Sequence, residues 1–272
     1  MEWIDTHAHL YAEDFNGNIG ELLQRAREAS VSRIISVGVN ARTNPQCIRF
    51  AEEHEEIFAA VGWQPTDLDE LGEEMELSTH RLKELHEQAC HPKVVAIGEI
   101  GLDYFRLPRT QSDEVLRVKE RQKHIFRQQL ELAAELDLPC AIHQRGDGTL
   151  EDCLEIMRPL AGRIRAVFHC FVGDLKAARA FFDLGCLVSL TGIVTFKKAE
   201  ELRETIRSLP PEKIMIETDC PYLAPEPHFR KLCEPSYVVH TGRRIAGILG
   251  LSPEEFAQIS SRTTRDFFRK MK

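Results

Sequence analysis

Ile4-Asp5-Thr6-His7-Ala8-His9-Leu10 lies almost at the start of the chain and decides how the rest is read. Strand side chains alternate between faces with period two, so in a strand over this short run His7 and His9 fall on one face. Two neighbouring imidazoles on one face invite a divalent metal. Later in the sequence Glu99, His143, His169 and Asp219 each stand at the end of another short apolar run, and together with the first pair they make a set of six metal-ligand types.

Outward from this run the pattern alternates. Asn18 to Ser30 carries Ile19, Leu22, Leu23, Ala26 and Ala29 at spacings of three and four, the mark of a helix with one buried face. A strand over 33–37, a helix over 43–54 and a strand over 57–61 follow, then an acidic loop and a helix over 81–90. The fourth strand, 94–97, is expected to close on Gly98-Glu99-Ile100-Gly101-Leu102-Asp103-Tyr104, where the glycines beside Glu99 would let the backbone turn sharply. A long helix is predicted over 114–136, and strands over 138–143, 164–169, 186–190 and 213–219 alternate with helices near 149–160, 174–184 and 198–207. The tail, 240–247 and 252–271, adds outer helices, the second opened by Ser252-Pro253-Glu254-Glu255 as a capped start.

Eight strands alternating with helices over 272 residues predict an α/β fold, a (β/α)8 TIM barrel forming a single domain over residues 1–272 with extra C-terminal helices. An open doubly wound sheet would call for a glycine-rich phosphate turn after its first strand, and the sequence has none there. In parallel barrels, functional groups come from the C-terminal ends of several strands. The six residues fall where that rule puts a site.

A formal charge of −8 with 29% charged residues excludes a protein that coats itself in nucleic acid through a general basic surface. Any polyanion must be met locally. Eight cysteines without a Cys-x-x-Cys pair, several inside apolar runs, read as reduced thiols, and no basic segment leads into an apolar stretch at Met1. A cytoplasmic protein is expected, with no membrane span and no evident need for an obligate protein partner.

Four histidines and two carboxylates exceed what one tetrahedral ion needs. A carboxylate such as Glu99 can bridge, so the set suits two divalent ions (Mg, Mn or Zn), one on His7, His9 and Asp219 and the other on His143 and His169. Two ions can clamp the attacking and leaving oxygens of a displacement at phosphorus, which makes phosphodiester hydrolysis the natural use. Asp219 is then the group to orient or deprotonate the water, with Glu99 beside it. The competing readings are a hydrolase of a small ester, amide or phosphoester, and a non-catalytic metal-bound binding module.

The motifs Asp5-Thr6-His7-Ala8-His9, Gly98 to Tyr104, Ile142-His143-Gln144-Arg145, Phe168-His169-Cys170-Phe171 and Glu217-Thr218-Asp219-Cys220-Pro221-Tyr222-Leu223-Ala224-Pro225 occur in this order. Together they resemble the TatD family of metal-dependent deoxyribonucleases, within the wider amidohydrolase-like barrels, over essentially the whole chain. The resemblance implies a barrel, a divalent-metal site and hydrolytic cleavage of DNA, with exonuclease action the usual family theme. It aligns His7, His9, Glu99, His143, His169 and Asp219 with the family's metal ligands. The chain departs from the family pattern at Gln64, where histidine is usual, at Cys220, where serine is common, in the turn Gly146-Asp147-Gly148, and in Pro227 to Pro235, which loses the usual arginine and asparagine. These departures concern the substrate pocket and spare the six ligands.

Affinity for DNA comes mainly from neutralised phosphates. Cations on loops expected at the mouth are Arg106, Arg109, Arg145, His228, Arg230 and Lys231. Arg145, two residues past a ligand, is the preferred phosphate contact because a guanidinium holds phosphate by two parallel hydrogen bonds. Tyr104 and Phe105 are the aromatics able to stack on a base. The acidic balance suits a small footprint, a DNA end or oligonucleotide bound locally at the barrel mouth.

Overall fold

The computed structural model describes residues 1–271 apart from Asn16, Glu73, Arg109 and Gln111, and all but the side chain of Asp69. Strands and helices alternate as β1 (Trp3–Ala8), α1 (Ile19–Glu28), β2 (Val31–Val37), α2 (Asn44–Glu53), β3 (Ile57–Val61), α3 (Thr79–Ala89), β4 (Val94–Asp103), α4 (Asp113–Glu135), β5 (Cys140–Arg145), α5 (Thr149–Met157), β6 (Ala166–Phe168), α6 (Leu175–Asp183), β7 (Leu187–Leu190), α7 (Glu200–Arg207), β8 (Ile214–Ile216), α8 (Val238–Leu249) and α9 (Pro253–Phe267). Each strand pairs in parallel with the next in sequence order. The ring closes just beyond β8, where Ala8 bridges Cys220 and the Asp219 backbone N–H donates to the His7 carbonyl at 2.9 Å. This is the (β/α)8 barrel that the alternation predicts.

The strands are buried on both faces, as parallel strands under helices must be. β1, β3 and β4 are buried at every residue. One apolar cluster draws on all eight strands, with Ile4, Ile35, Phe58, Val95, Ala141, Val167, Leu187 and Met215 meeting Phe268 and Met271, so the residues after α9 pack against the inward faces of the strands. A larger cluster fills the layer between strands and helices. The Ser252 capping box that opens α9 is present, with Glu255 as its reciprocal partner. All eight cysteines are free, and among the described residues no helix is long and apolar enough to cross a membrane.

β4 differs from expectation in a way that matters for the site. It does not turn at Gly98 but pairs with β5 as far as Asp103 and Arg145. Between Ile97 and Ile100 three steps on β4 match two on β5, from Cys140 to Ile142, so one extra residue is accommodated there. Such a bulge re-aims a side chain without ending the strand, and Glu99 lies within it. Gly101 completes the device: its φ is +139°, and a Cβ there would come within 2.0 Å of the His143 carbonyl oxygen. Gly101→Ala is expected to destabilise the fold by about 3 kcal/mol or more, a fall in Tm of roughly 6 °C or more, through backbone strain and a clash with the neighbouring strand. Thermal unfolding measures it, and an unchanged Tm would contradict this pairing.

Three buried amide side chains fix the strand exits. Asn44 from α2 bonds the Gly62 N–H and carbonyl, each at 3.2 Å. Gln129 and Gln122 from α4 do the same for Trp63 (2.7 and 3.1 Å) and Asp103 (2.9 and 3.1 Å). Buried backbone groups at strand ends need such partners, and these hold the β3 and β4 exits in place.

Candidate metal centre

Six side chains from β1, β4, β5 and the segments following β1, β6 and β8 converge inside the C-terminal mouth of the barrel. Glu99 is at their centre, 3% exposed. Its Oε1 lies 2.7 Å from His143 Nδ1 and 3.0 Å from His169 Nε2, while its Oε2 faces His7 Nε2 at 3.5 Å and His9 Nε2 at 3.8 Å. The two oxygens of one carboxylate are thus divided between two pairs of imidazoles. Asp219 Oδ1 completes the first-strand side, 3.3 Å from His9 Nε2 and 3.9 Å from His7 Nε2.

Behind these groups stands a second layer that orients them. His143 Nε2 is 3.1 Å from Asp103 Oδ2, His169 Nδ1 faces Glu217 Oε1 at 3.4 Å, and His9 Nδ1 lies 3.0 Å from the Val37 carbonyl. Pairing the outer ring nitrogen with a carboxylate or carbonyl fixes tautomer and ring angle and leaves the inner nitrogen free to ligate. Asp5 belongs to the same scaffold: its carboxyl accepts the Thr218 hydroxyl at 2.6 Å and the Thr218 N–H at 2.9 Å, tying β1 to the segment that carries Asp219. Burial pushes the Asp5 carboxyl up to about 8 in spite of the hydrogen bonds from Thr218. Asp219 has φ of 57°, a left-handed conformation that aspartate tolerates better than most residues.

The donor set fits divalent cations. Both ring nitrogens of His7 are buried without a hydrogen-bond partner among the described residues, an arrangement that costs free energy unless something else is bound there. The triads His7–His9–Glu99 and Glu99–His143–His169 each bring three donor atoms within 4.8 Å of one another and share only Glu99, while a third, His7–His169–Asp219, draws on both sides. Four imidazoles with carboxylates suit Zn or Mn, and the carboxylate component admits Mg.

Without metal, the same groups hold protons. Burial disfavours charge on His169 and His143, yet the Glu99 carboxylate, with Glu217 at the first and Asp103 at the second, overcomes it and raises both above the ordinary imidazole value. Burial also opposes the Glu99 charge, and the neighbouring histidines hold Glu99 well below the usual carboxylate range. His7 goes the other way, kept neutral by burial and by His169. A metal held by His143 and His169 would have to displace their protons, so affinity is expected to fall as pH is lowered, beginning above 6.5, the ordinary histidine value, since both shifts are upward. Titration calorimetry at pH 7 in buffers of different ionisation enthalpy would register the released protons. Equal heats in all buffers would contradict this coupling.

The centre opens into a cavity of about 710 Å³ whose walls include Arg42, Gln64, Arg106, Arg145 and Tyr222. Arg145 is therefore at the mouth, its guanidinium 4.1 Å from the Phe105 ring centroid. Arg106 donates to the Thr66 hydroxyl at 2.9 Å. Gln64 has its Oε1 occupied by the Thr66 N–H and hydroxyl, at 2.7 and 2.6 Å.

Several residues named from sequence lie elsewhere. Tyr104 is 8% exposed and is not a wall of the cavity; its hydroxyl donates to Asp152 at 2.7 Å, and Lys119 lies over its ring. The exposed aromatic at that strand exit is Phe105. His228 is stacked on Tyr237 at 3.9 Å and lines a separate cleft with His240 and Arg243, because the loop after β8 folds back toward α1, where Glu234 pairs with Arg25 at 2.7 Å. Lys231 is exposed and absent from the cavity wall, Arg230 lies over Phe229, and Arg109 falls outside the described residues. Sequence reading assigned no role to Asp103, Glu217, Arg42 or Tyr222. Asp103 and Glu217 were legible in principle, since they stand four and two positions from Glu99 and Asp219 in the same runs.

Residues 4–269 match the family model described as TatD related DNase. An uncharacterized metal-dependent hydrolase, YabD of Bacillus subtilis, is 38% identical over 97% of this chain and 98% of its own. The 3′-5′ ssDNA/RNA exonuclease TatD of Pantoea vagans is 32% identical, with 97% of this chain and 98% of its own covered. Among solved structures, the TatD homologue YjjV of Escherichia coli K12 superposes with a TM-score of 0.84 at 29% identity, covering 98% of both chains.

Proposed function

Because this chain belongs to the TatD-related DNase family and so to the metal-dependent hydrolases, we propose that it cleaves phosphodiester bonds of DNA, as an exonuclease on single-strand ends or short oligonucleotides, with two divalent ions. The observation that carries this reading is the division of the Glu99 carboxylate between two sets of imidazoles. A shared carboxylate between two ligand sets is the arrangement that suits in-line displacement at phosphorus. The name of the Pantoea vagans relative, a single-strand exonuclease, supports the substrate class.

His7 and His9 with Asp219, which stands 3.9 and 3.3 Å from them, would hold one ion, His143 and His169 the other, and Glu99 both. When bound, the ions supply Lewis-acid stabilisation of charge on phosphoryl oxygens and a nucleophilic water of lowered pKa. The chain's own residues do the rest. Asp103 and the Val37 carbonyl keep the ligating nitrogens of His143 and His9 aimed inward, and Glu217 sets its charge 3.4 Å from His169 Nδ1. Asp219, in the cavity wall, orients the attacking water and accepts its proton. Its carboxyl is kept ionised, because His9 and His7 outweigh the effect of burial and lower its pKa. Arg145 and Arg106 line the same cavity, where they can neutralise the phosphates next to the scissile one.

The test is turnover of a 5′-labelled single-stranded oligonucleotide in Mg²⁺, Mn²⁺ or Zn²⁺, compared with phosphomonoester and carboxyl-ester reporters. Stepwise shortening of the strand, abolished by chelation and restored by metal, is expected. Turnover of the ester reporters alone would overturn the reading.

A further inference from the structure

We propose that Phe105 and Tyr222 form a two-base clamp, each stacking on one of the two nucleobases that flank the scissile phosphate of a single strand. The inference rests on the phosphodiesterase reading and adds to it how the base, as distinct from the phosphate, is held.

Phe105 is 57% exposed and Tyr222 is 62% exposed; Tyr222 lines the cavity, and Phe105 stands just outside it, against the wall residue Arg145. Exposed aromatic faces beside a cationic groove are what bases of a single strand stack on. Their placement is set by topology. Phe105 stands two residues beyond β4, and Tyr222 follows β8. In a ring of eight strands in sequence order, β4 and β8 are four places apart in either direction, so these exits lie opposite each other with the metal centre between them.

Neither ring hangs on a loose loop. The N–H groups of Tyr104 and Phe105 both donate to the Arg145 carbonyl, at 2.8 and 3.3 Å, and Gly146 packs so closely that a Cβ there would lie 2.5 Å from the Phe105 nitrogen. The Tyr222 N–H donates to the Asp219 carbonyl at 3.0 Å, and its ring centroid is 6.5 Å from that of His9. A ring already held in place loses little conformational freedom when a base stacks on it. Arg145 lies over Phe105, so the same platform carries a positive charge next to a stacked base, where the strand has its phosphate. Arg42, Arg106 and Arg145 outnumber Asp67 on the β2 to β5 side of the cavity, while the acidic Glu13 and Asp14 stand on the β1 side, which biases a polyanion toward the Phe105 rim.

Such a clamp needs both faces of the junction unpaired. Bases in a duplex are stacked on their neighbours and offer no free face, so the clamp selects single strands and frayed ends. It is tolerant of sequence, because every base has a π-face.

The experiment combines protein variants with altered substrates. Phe105→Ala and Tyr222→Ala are each expected to raise KM for a short single-stranded oligonucleotide about tenfold and to change kcat less, and Phe105→Tyr is expected to restore KM. An oligonucleotide lacking the base on one side of the cleaved bond shows the same loss with wild-type protein. On that substrate one of the two alanine variants adds no further loss, while the other still does; the opposite abasic position reverses the roles. Fluorescence anisotropy of the labelled strand with the metal chelated gives the same ranking of affinities independently of turnover. If wild-type protein cleaves the oligonucleotide and both alanine variants match its KM on every substrate, the clamp is overturned and the phosphodiesterase reading stands. If wild-type protein cleaves no oligonucleotide in any metal, both fall.

Discussion

Replacing Glu99 with glutamine is expected to lower kcat/KM by about a thousandfold or more, because several kcal/mol of metal-derived stabilisation of the reacting phosphate is lost. The shape is kept, but one of the two oxygens becomes an amide nitrogen. That nitrogen donates hydrogen bonds and cannot ligate, so one of the two ligand sets loses its carboxylate whichever way the amide turns. Glu99 is also the buried negative charge among four imidazoles, and neutralising it removes the partner of His143 at 2.7 Å and His169 at 3.0 Å. Bound metal is therefore expected to fall together with rate. Elemental analysis of dialysed protein beside steady-state cleavage measures both, and a Glu99→Gln protein that keeps full metal and full turnover would contradict the role assigned to this residue.

Asp219→Asn separates the proton-transfer role from the fold. The rate is expected to drop by roughly a hundred- to ten-thousandfold, the range for loss of a general base. The melting temperature should change by only a few degrees. The backbone bond from Asp219 N–H to the His7 carbonyl, at 2.9 Å, does not depend on the side chain, and asparagine also tolerates the left-handed conformation at φ of 57°. Circular dichroism and thermal melting establish the intact fold, and single-turnover cleavage establishes the rate. Wild-type turnover in a folded Asp219→Asn protein would assign the proton to another group.

The barrel and the six converging side chains were legible because they depend on periodicity and chain order. His7 and His9 alternate on one strand, and Glu99, His143, His169 and Asp219 close later apolar runs. What escaped depends on the exact path of the chain. The glycines beside Glu99 read as a turn, whereas β4 absorbs an extra residue and continues to Asp103. The apolar run at 213–219 reads as one strand, but regular pairing with β7 ends at Ile216, and the chain then bonds β1 through the Asp219 N–H while Glu217 and Thr218 turn their side chains to His169 and Asp5. At the exit of β4 the side chains of Tyr104 and Phe105 diverge, and nothing local says which of them turns into the helix layer. His228 and Lys231 belong to a loop expected at the mouth, yet the Arg25–Glu234 pair draws that loop toward α1. Nothing in the sequence sets Asn44, Gln122 and Gln129 apart from other polar helix residues, and only the folded structure shows that they serve the backbone at buried strand ends.

The claim on which the rest depends is that Glu99 joins two cation sites into one centre. Anomalous scattering from Mn²⁺-soaked crystals measures it directly. Two peaks about 3.5–4 Å apart are expected, with the Glu99 carboxylate between them, one beside His7, His9 and Asp219 and the other beside His143 and His169. A single peak at full occupancy, or peaks that leave Glu99 uncoordinated, would contradict it.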